Sequence, residues 1–451
     1  MVGNQYSDIL LVKGNAAGVT YVDVSSVRVP GGSGANTDVI LRNGTTEPFE
    51  GISIVQVAGA STANAFQLPN GIVTSGAFAY KLYAFAPGES LLNQNQLGTG
   101  NNQFWDYRLG SAFAHKNGLS WRLQVAPQVA AYLSAPAGMY YANQSSIEDL
   151  HKRLGEVRHN TGFGDPDENY YEFFVRFIAS DMEYESNLGF SDYGYDFDMK
   201  SHSIQLGGNL LKVKTDNDDT IRLGLAWTHG WSDITPDGRY DGHSETDMQT
   251  DTVSLYSTWQ KENGFYIDGV LSYTKSKADV YTSVFADVGA LKSRGWSASV
   301  ESGYPFIFDN GLHLEPQAQL IYSNTSIDRL HDSTNALVTY DDADYLTGRL
   351  GLRASRTWEG EDGRKHTPYA RANYYTTWGS DPTVNIKDAA GSGPGFDFKT
   401  GSIGDSLQLG LGWTSNINKE VSFYGEVDYG MKLEGFGVEG WRWNIGMKIE
   451  Y

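Results

Sequence analysis

The chain has 451 residues, a formal net charge of −20 and no cysteine. Without cysteine it has no disulfide and no thiolate metal site, and the acidic balance argues against a nucleic-acid or anionic-lipid surface as partner. A mean hydropathy of −0.41, with no long apolar run, excludes transmembrane helices, but not a transmembrane β-barrel, whose strands turn half their residues toward a polar lumen. The length suggests more than one domain, and 13% aromatics with 52 glycines fit an all-β protein.

Met1-Val2-Gly3-Asn4-Gln5 opens the chain without a basic or an apolar leader region, so it is no signal peptide, and the expectation is that the native start lies upstream. Up to about residue 149 the chain is rich in Gly, Ala, Val and Asn. Short β runs there, such as Asp8–Lys13, Val19–Val24, Ile52–Val57 and Ala65–Leu68, have Gly and Asn at their corners, as stacked solenoid rungs need. Ala79–Phe85, Asn102–Leu109 and Ser120–Leu123 then alternate apolar with polar and read as a cap, since a bare last rung is an open sheet edge.

A helix is expected over about 145–165. Ser145 or Ser146 is its cap, and Glu148 and Asp149 lie in its first turn, where negative charge suits the dipole. Ile147, Leu150 and Leu154 share one side. That is too little apolar surface for a core helix. With Lys152, Arg153 and Arg158 it presents a basic face, suited either to an acidic, water-filled barrel or to solvent between domains.

From about 168 onward the chain divides into twelve alternating strands, an even number as single-chain bacterial barrels require. Strand one carries Phe173, Val175 and Phe177 on one face and Glu172 and Arg176 on the other. The ninth is the run around Tyr369 and Tyr375. Short polar turns such as Lys214–Thr220, Lys261–Gly264 and Asn416–Glu420 alternate with longer stretches, Ser232–Asp251, Ser276–Gly295, Ser323–Tyr345 and Gly379–Asp405, read as loops. Carboxylates such as Asp341, Asp342 and Asp344 in these loops read as solvated charges.

The last strand sets Trp441, Trp443, Ile445, Met447, Ile449 and Tyr451 against Arg442, Asn444, Gly446, Lys448 and Glu450. Its period of two over a length close to the 9–11 residues that cross a bilayer at a tilt implies a membrane wall with unlike faces. On the polar phase fall Arg176, Arg222, His313, Glu315, Gln317, Arg349, Arg353, Glu426, Asp428, Arg442 and Lys448, a lumen of both signs. Glu315, Glu426 and Asp428 are expected to hold Lys152, Arg153 and Arg158 of the helix. Gly404-Asp405-Ser406-Leu407 matches an esterase nucleophile string, but a strand follows it and no His lies downstream. The nine His are scattered without ligand spacing, so no metal site, no cofactor and no enzyme is expected.

The order of these pieces resembles the pertactin-like autotransporters. Asp8–Asn15, Ile54–Ser61, Tyr80–Tyr83 and Trp121–Leu123 are similar to the end of their passenger. Pro127–Tyr132 with Asp149–Glu156 is similar to their linker and pore helix, and the rest to their barrel. The resemblance implies an all-β fold: a 12-stranded antiparallel transmembrane β-barrel with a pore helix, preceded by the end of a β-helix. The expected divisions are 1–130 (rungs and cap), 131–168 (linker and helix) and 169–451 (barrel). It implies a monomeric translocator in the bacterial outer membrane that exports and anchors its own passenger, with residues 1–130 at the cell surface. Its partners would be outer-membrane lipid and lipopolysaccharide, periplasmic chaperones and the barrel-assembly machinery, the last reading the terminal row Trp441–Tyr451. Some members cut the chain inside the pore, and Asn143, just before the expected helix, is a candidate. A surface adhesin module and a helix-plugged porin remain the alternatives.

Overall fold

A computed structural model describes residues 8–25, 43–118, 120–159, 171–361, 363–379, 381–390, 395–418 and 420–450, without the side chains of Asp149 and residues 153–159. Tyr451 and the side chains of Arg153 and Arg158 therefore lie outside the described set.

Twelve long strands form the body of the molecule: β1 (Glu172–Glu185), β2 (Phe197–Lys214), β3 (Thr220–Pro236), β4 (Ser244–Gln260), β5 (Tyr266–Thr282), β6 (Ala286–Gly303), β7 (Leu312–Ile327), β8 (Ala343–Arg356), β9 (Lys365–Gly379), β10 (Ser406–Asn416), β11 (Val421–Lys432) and β12 (Gly437–Glu450). Each pairs antiparallel with the next, and β12 returns to β1 in register from Glu172↔Glu450 to Glu185↔Gly437. The sheet closes on itself, so neither terminal strand keeps an unpaired edge.

Alternation decides the two faces of this wall. On β5, Asp268, Val270, Ser272 and Thr274 are buried while Ile267, Leu271 and Tyr273 are exposed. The outer face is an apolar band, and aromatics edge it at one end with Trp259, Phe265, Tyr304 and Phe306 and at the other with Tyr273, Trp296 and Tyr322. β2 breaks the pattern with a bulge between Asn209 and Leu211, so Leu210 and Leu211 both face outward.

Inside the wall, large rings lie across glycines on the neighbouring strand. Tyr256 stands opposite Gly224, Tyr369 opposite Gly412 and Tyr424 opposite Gly446. A Cβ on any of these glycines would overlap the ring, so each pair pins its register as aromatic rescue of a strand glycine does.

Two expectations about the loops are corrected. Ser232–Asp251 and Ser276–Gly295 are mostly strand, with only residues 237–243 and 283–285 left between β3 and β4 and between β5 and β6. Their Thr, Ser and Asp residues still alternate in and out, because ladder pairing requires backbone geometry rather than apolar side chains. The other two long stretches do leave the wall, and there they build a four-stranded sheet from Leu330–His331, Ala336–Tyr340, Thr383–Asp388 and Phe396–Lys399.

The helix, α1, spans Gln128–His159 within the barrel. It is 32 residues long, roughly 48 Å at 1.5 Å per residue, and it begins seventeen positions before the expected Ser145. The segment read as a linker is its first half. Ala130, Tyr132, Leu133, Ala135, Met139 and Tyr140 are buried in the main apolar cluster, so α1 has the core-like surface that Ile147, Leu150 and Leu154 alone did not suggest. Pro136 masked the pattern, because a proline removes the hydrogen bond to the carbonyl four residues back. That carbonyl, on Tyr132, is taken instead by the hydroxyl of Tyr340 at 3.2 Å. Ser145 and Ser146 are mid-helix, not caps.

Before α1, Leu10–Val12 pairs parallel with Val55–Val57, and Thr20–Tyr21 pairs parallel with Phe66–Gln67. Parallel stacking of successive turns is the solenoid geometry expected. Antiparallel strands Val73–Ser75, Phe78–Phe85 and Trp105–Ser111 then close its edge. This cap sits on the barrel. Arg122 forms an ion pair with Asp241 between β3 and β4, with its guanidinium 4.2 Å from the Tyr193 ring and 4.8 Å from that of Phe190. Tyr195 donates to Asp241 at 2.7 Å; burial, then the Asp241 carboxylate, push its phenol well above the ordinary value, so it stays a donor. Phe78 packs edge-on against Phe396 at 5.2 Å.

Gly446→Ala is expected to destabilise the barrel by about 1–3 kcal/mol through the clash with Tyr424. It would show as a lower temperature at which the compact band of an unboiled sample converts to the unfolded one, and an unchanged temperature would rule out the interlock.

Candidate functional site: the helix seat in the barrel lumen

The lumen is polar because the inward phase of each strand is polar. Ser and Thr hydroxyls ladder along one side: Thr252 to Thr274 at 2.9 Å and Ser254 to Ser272 at 2.8 Å. Asn143, expected before the helix, lies within it instead. It is buried, with its Oδ1 accepting from Thr274 at 2.6 Å and its Nδ2 donating to Ser297 at 3.5 Å. At Gly138 the helix runs so close to the wall that a Cβ would stand 2.5 Å from Ile234 Cδ1.

The lower half of α1 brings charge to meet charge. Lys152 Nζ lies 2.6 Å from Glu426 Oε1 and 2.9 Å from Asp428 Oδ2. Arg371 on β9 closes the same acids from the other side at 2.9 and 2.8 Å, and Tyr369 donates to Glu426 at 2.8 Å. Arg442 on β12 holds Glu148 at 2.5 Å and the Ser145 carbonyl at 2.9 Å. His151 Nδ1 stands 2.8 Å from Asp268 and its Nε2 is 3.0 Å from Ser299 Oγ. Leu150 packs on the wall against Phe174, Ala226, Tyr256 and Val270. Beside the helix, Tyr140, Gln144, Glu148, Tyr375, Gln408 and Arg442 line a cavity of about 100 Å³.

The residues expected in the lumen are found there. Arg176, Arg222, Glu315, Arg349, Arg353, Glu426, Asp428, Arg442 and Lys448 are buried, and Gln317 and His313 half-buried. Arg349 reaches Glu301 at 2.7 Å and Gln319 at 2.6 Å. Arg353 lies 4.3 Å from the Tyr369 ring. Arg176 sits between Phe174 and Tyr424, 5.0 Å from each ring. Arg222 is 3.7 Å from Glu172, and Lys448 is 2.6 Å from Glu450. Of the three acids expected on the helix cations, Glu426 and Asp428 meet Lys152; Glu315 accepts from Gln317 at 2.6 Å, and its expected pairing with Arg153 or Arg158 lies outside the described side chains. On β12, Trp441, Trp443 and Ile445 are exposed on the outer face, and Met447 and Ile449 half-buried.

The sequence reasoning missed Arg371, Glu301, Asp268 and His151. Asp268 and Glu301 sit on the same inward phase of β5 and β6 that identified Glu426 on β11, so period two would have found them. Arg371 and the ring positions of β9 escaped because Tyr369 and Tyr375 resemble an outward row. They are turned to the lumen, and Tyr374 and Trp378 are exposed instead.

The family described as Autotransporter beta-domain matches residues 173–428. Adhesin BmaC autotransporter of Brucella suis is 25% identical over 98% of this chain and 13% of its own length. Pertactin autotransporter of Bordetella bronchiseptica is 26% identical over 69% of this chain and 31% of its own. The chain thus spans less than a third of either relative. Among solved structures, the β-domain of the Bordetella autotransporter BrkA covers 62% of this chain and 98% of itself at 19% identity, with a TM-score of 0.48. The translocator domain of NalP from Neisseria meningitidis covers 69% and 98% at 14% identity, with a TM-score of 0.47.

Lys152→Met should remove the charge that α1 gives to Glu426 and Asp428 while leaving their Arg371 partner. Single-channel conductance in a planar bilayer is expected to rise, and to rise further in E426Q/D428N, where two buried cations lose their counter-charges. Conductance equal to wild type in both would mean that these pairs do not seat the helix.

Proposed function

The chain belongs to the autotransporter β-domain family, and from that premise we propose how its parts divide the work of export and display. The barrel is the outer-membrane translocator and anchor. The solenoid end and cap stand outside the cell, the helix marks the path by which the chain passed through the barrel, and the barrel ends on a strand that the assembly machinery recognises. The observation that carries this reading is the course of the backbone. α1 enters the lumen beside the external sheet, where Tyr132 donates to Asp332 at 2.8 Å, and runs down to Lys152 between Glu426 and Asp428.

A template that is already folded lets stacked rungs add from one end, each gaining an interface with the last. The rungs and cap over 1–130 supply such a template at the barrel mouth, so folding outside drives the rest of the passenger through in a compartment without ATP. Arg122 and Phe78 hold the cap against the loops while this happens. A relative named as an adhesin aligns along 98% of this chain, which favours an adhesive passenger upstream as the cargo. The helix-plugged porin alternative accommodates the same helix as a plug, and a large, stable conductance of the intact chain would favour it instead.

Unboiled protein extracted from membranes should migrate faster than boiled protein, and protease added to whole cells should release the cap while sparing the barrel. Equal migration with the protein in the soluble fraction would refute the membrane assignment.

Tyr451→Asp is expected to leave the barrel unassembled, detected as loss of the fast band and accumulation in the periplasm. Normal insertion of that variant would show that the terminal aromatic is not read.

A further inference from the structure

The outer face of β5 and β6 carries two cross-strand pairs of like charge. Lys275 stands opposite Arg294, and Lys277 opposite Lys292. All four side chains are exposed, and the residues between them, Ser276 and Ser293, are buried, as is Thr274 just before Lys275. Each strand reaches these positions one pleat beyond an aromatic of the belt: Lys275 follows Tyr273, and Arg294 precedes Trp296. Tyr273 and Trp296 are themselves directly opposed. The basic side of this belt is the one facing the 283–285 turn, which lies at the end where α1 enters the lumen.

Folding does not account for this arrangement. Like charges set directly opposite each other on a sheet are destabilising. The compensation within the chain is thin. Lys277 pairs with Asp279 at 2.8 Å and Arg294 approaches Asp328 at 3.8 Å, both pairs well exposed and so weak. Lys275 and Lys292 form no ion pair among the described residues. Asp251, the neighbour of Lys275 on β4, is bound to His229 at 2.8 Å. The overall charge of −20 conceals the patch, because the next outward row, Asp233, Asp247 and Asp279, is acidic.

We propose that Lys275, Lys277, Lys292 and Arg294 form a binding site for the phosphorylated headgroup of the outer-leaflet glycolipid, lipopolysaccharide. The apolar band below takes the acyl chains, the Tyr273–Trp296 pair sits at the interface where such rings concentrate, and the four cations meet the phosphates just above. Arg294 offers a planar fork suited to bidentate phosphate contact and the lysines offer point charges. The like-charge pairs, unfavourable in the free wall, become favourable once phosphate lies between them. The site rests on the outer-membrane assignment made above.

The test uses the full chain folded in a zwitterionic detergent, with purified lipopolysaccharide carrying both lipid A phosphates as probe and retention measured by native mass spectrometry. Wild type is expected to bind it about tenfold or more tightly than the same glycolipid stripped of phosphate, and than phosphatidylglycerol. K275Q/K277Q/K292Q/R294Q should lose that preference, while K275R/K277R/K292R should keep it. Equal retention of the dephosphorylated glycolipid, equal retention of phosphatidylglycerol, or an unaffected quadruple glutamine variant would each overturn the site. Every sample is also run unboiled and boiled. A compact band without a phosphate preference rejects the patch alone, whereas no compact band in wild type rejects the membrane barrel on which it rests.

Discussion

Hydrocarbon offers no partner to a peptide group, so every N–H and C=O within the bilayer must be satisfied by the chain itself. The pairing of β1 with β12 meets that requirement for the whole wall. It joins the first and last strands of the barrel along fourteen residues, from Glu172↔Glu450 to Glu185↔Gly437. Once the sheet is closed, one face of every strand must suit lipid and the other must suit an enclosed interior. The alternation of Trp441, Trp443 and Ile445 with Arg442, Asn444 and Lys448 follows from that single closure.

Closure creates a second problem, because the interior it encloses is lined by groups of both signs. Buried charges need partners close at hand. Some are found within the wall, as between Arg349 and Glu301. Others depend on the helix, whose Lys152 lies on Glu426 and Asp428 and whose Glu148 lies on Arg442. Helix and wall therefore form one electrostatic unit. The helix also joins two chemistries end to end. Its upper half packs through Ala, Tyr and Met against the mouth, and its lower half is held by ion pairs. This division suits a segment fixed at the mouth by packing and seated deeper by charge.

The strands were largely legible in the sequence because period two persists along each of them, and the short turns stand out by composition. The helix start was not legible. Pro136 and the small residues of Gln128–Gly138 resemble a linker until it is known that Tyr340 satisfies the freed carbonyl and that Ile234 lies against Gly138. The outer ends of β3 to β6 resemble loops in sequence because their residues are polar, although polar residues pair as well as apolar ones once the neighbouring strand is present. β9 was ambiguous because tyrosine suits either face. Only the partner of each ring, Gly412 for Tyr369, tells which way it turns.

Local alternation, with the chemistry of solvent and lipid, is enough to give the class of the fold, the twelve crossings and, on strands other than β9, which phase of each strand faces inward. Tertiary structure decided which inward charge meets which. Glu426 and Asp428 lie on β11, Arg371 on β9 and Lys152 on a helix more than 200 positions earlier, and no local pattern relates them. Their convergence is set by the closure of the barrel and by the depth to which the helix is drawn into it. The opposition of Lys275 to Arg294 and of Lys277 to Lys292 is likewise a matter of register between strands, which the ladder fixes and the linear sequence leaves open.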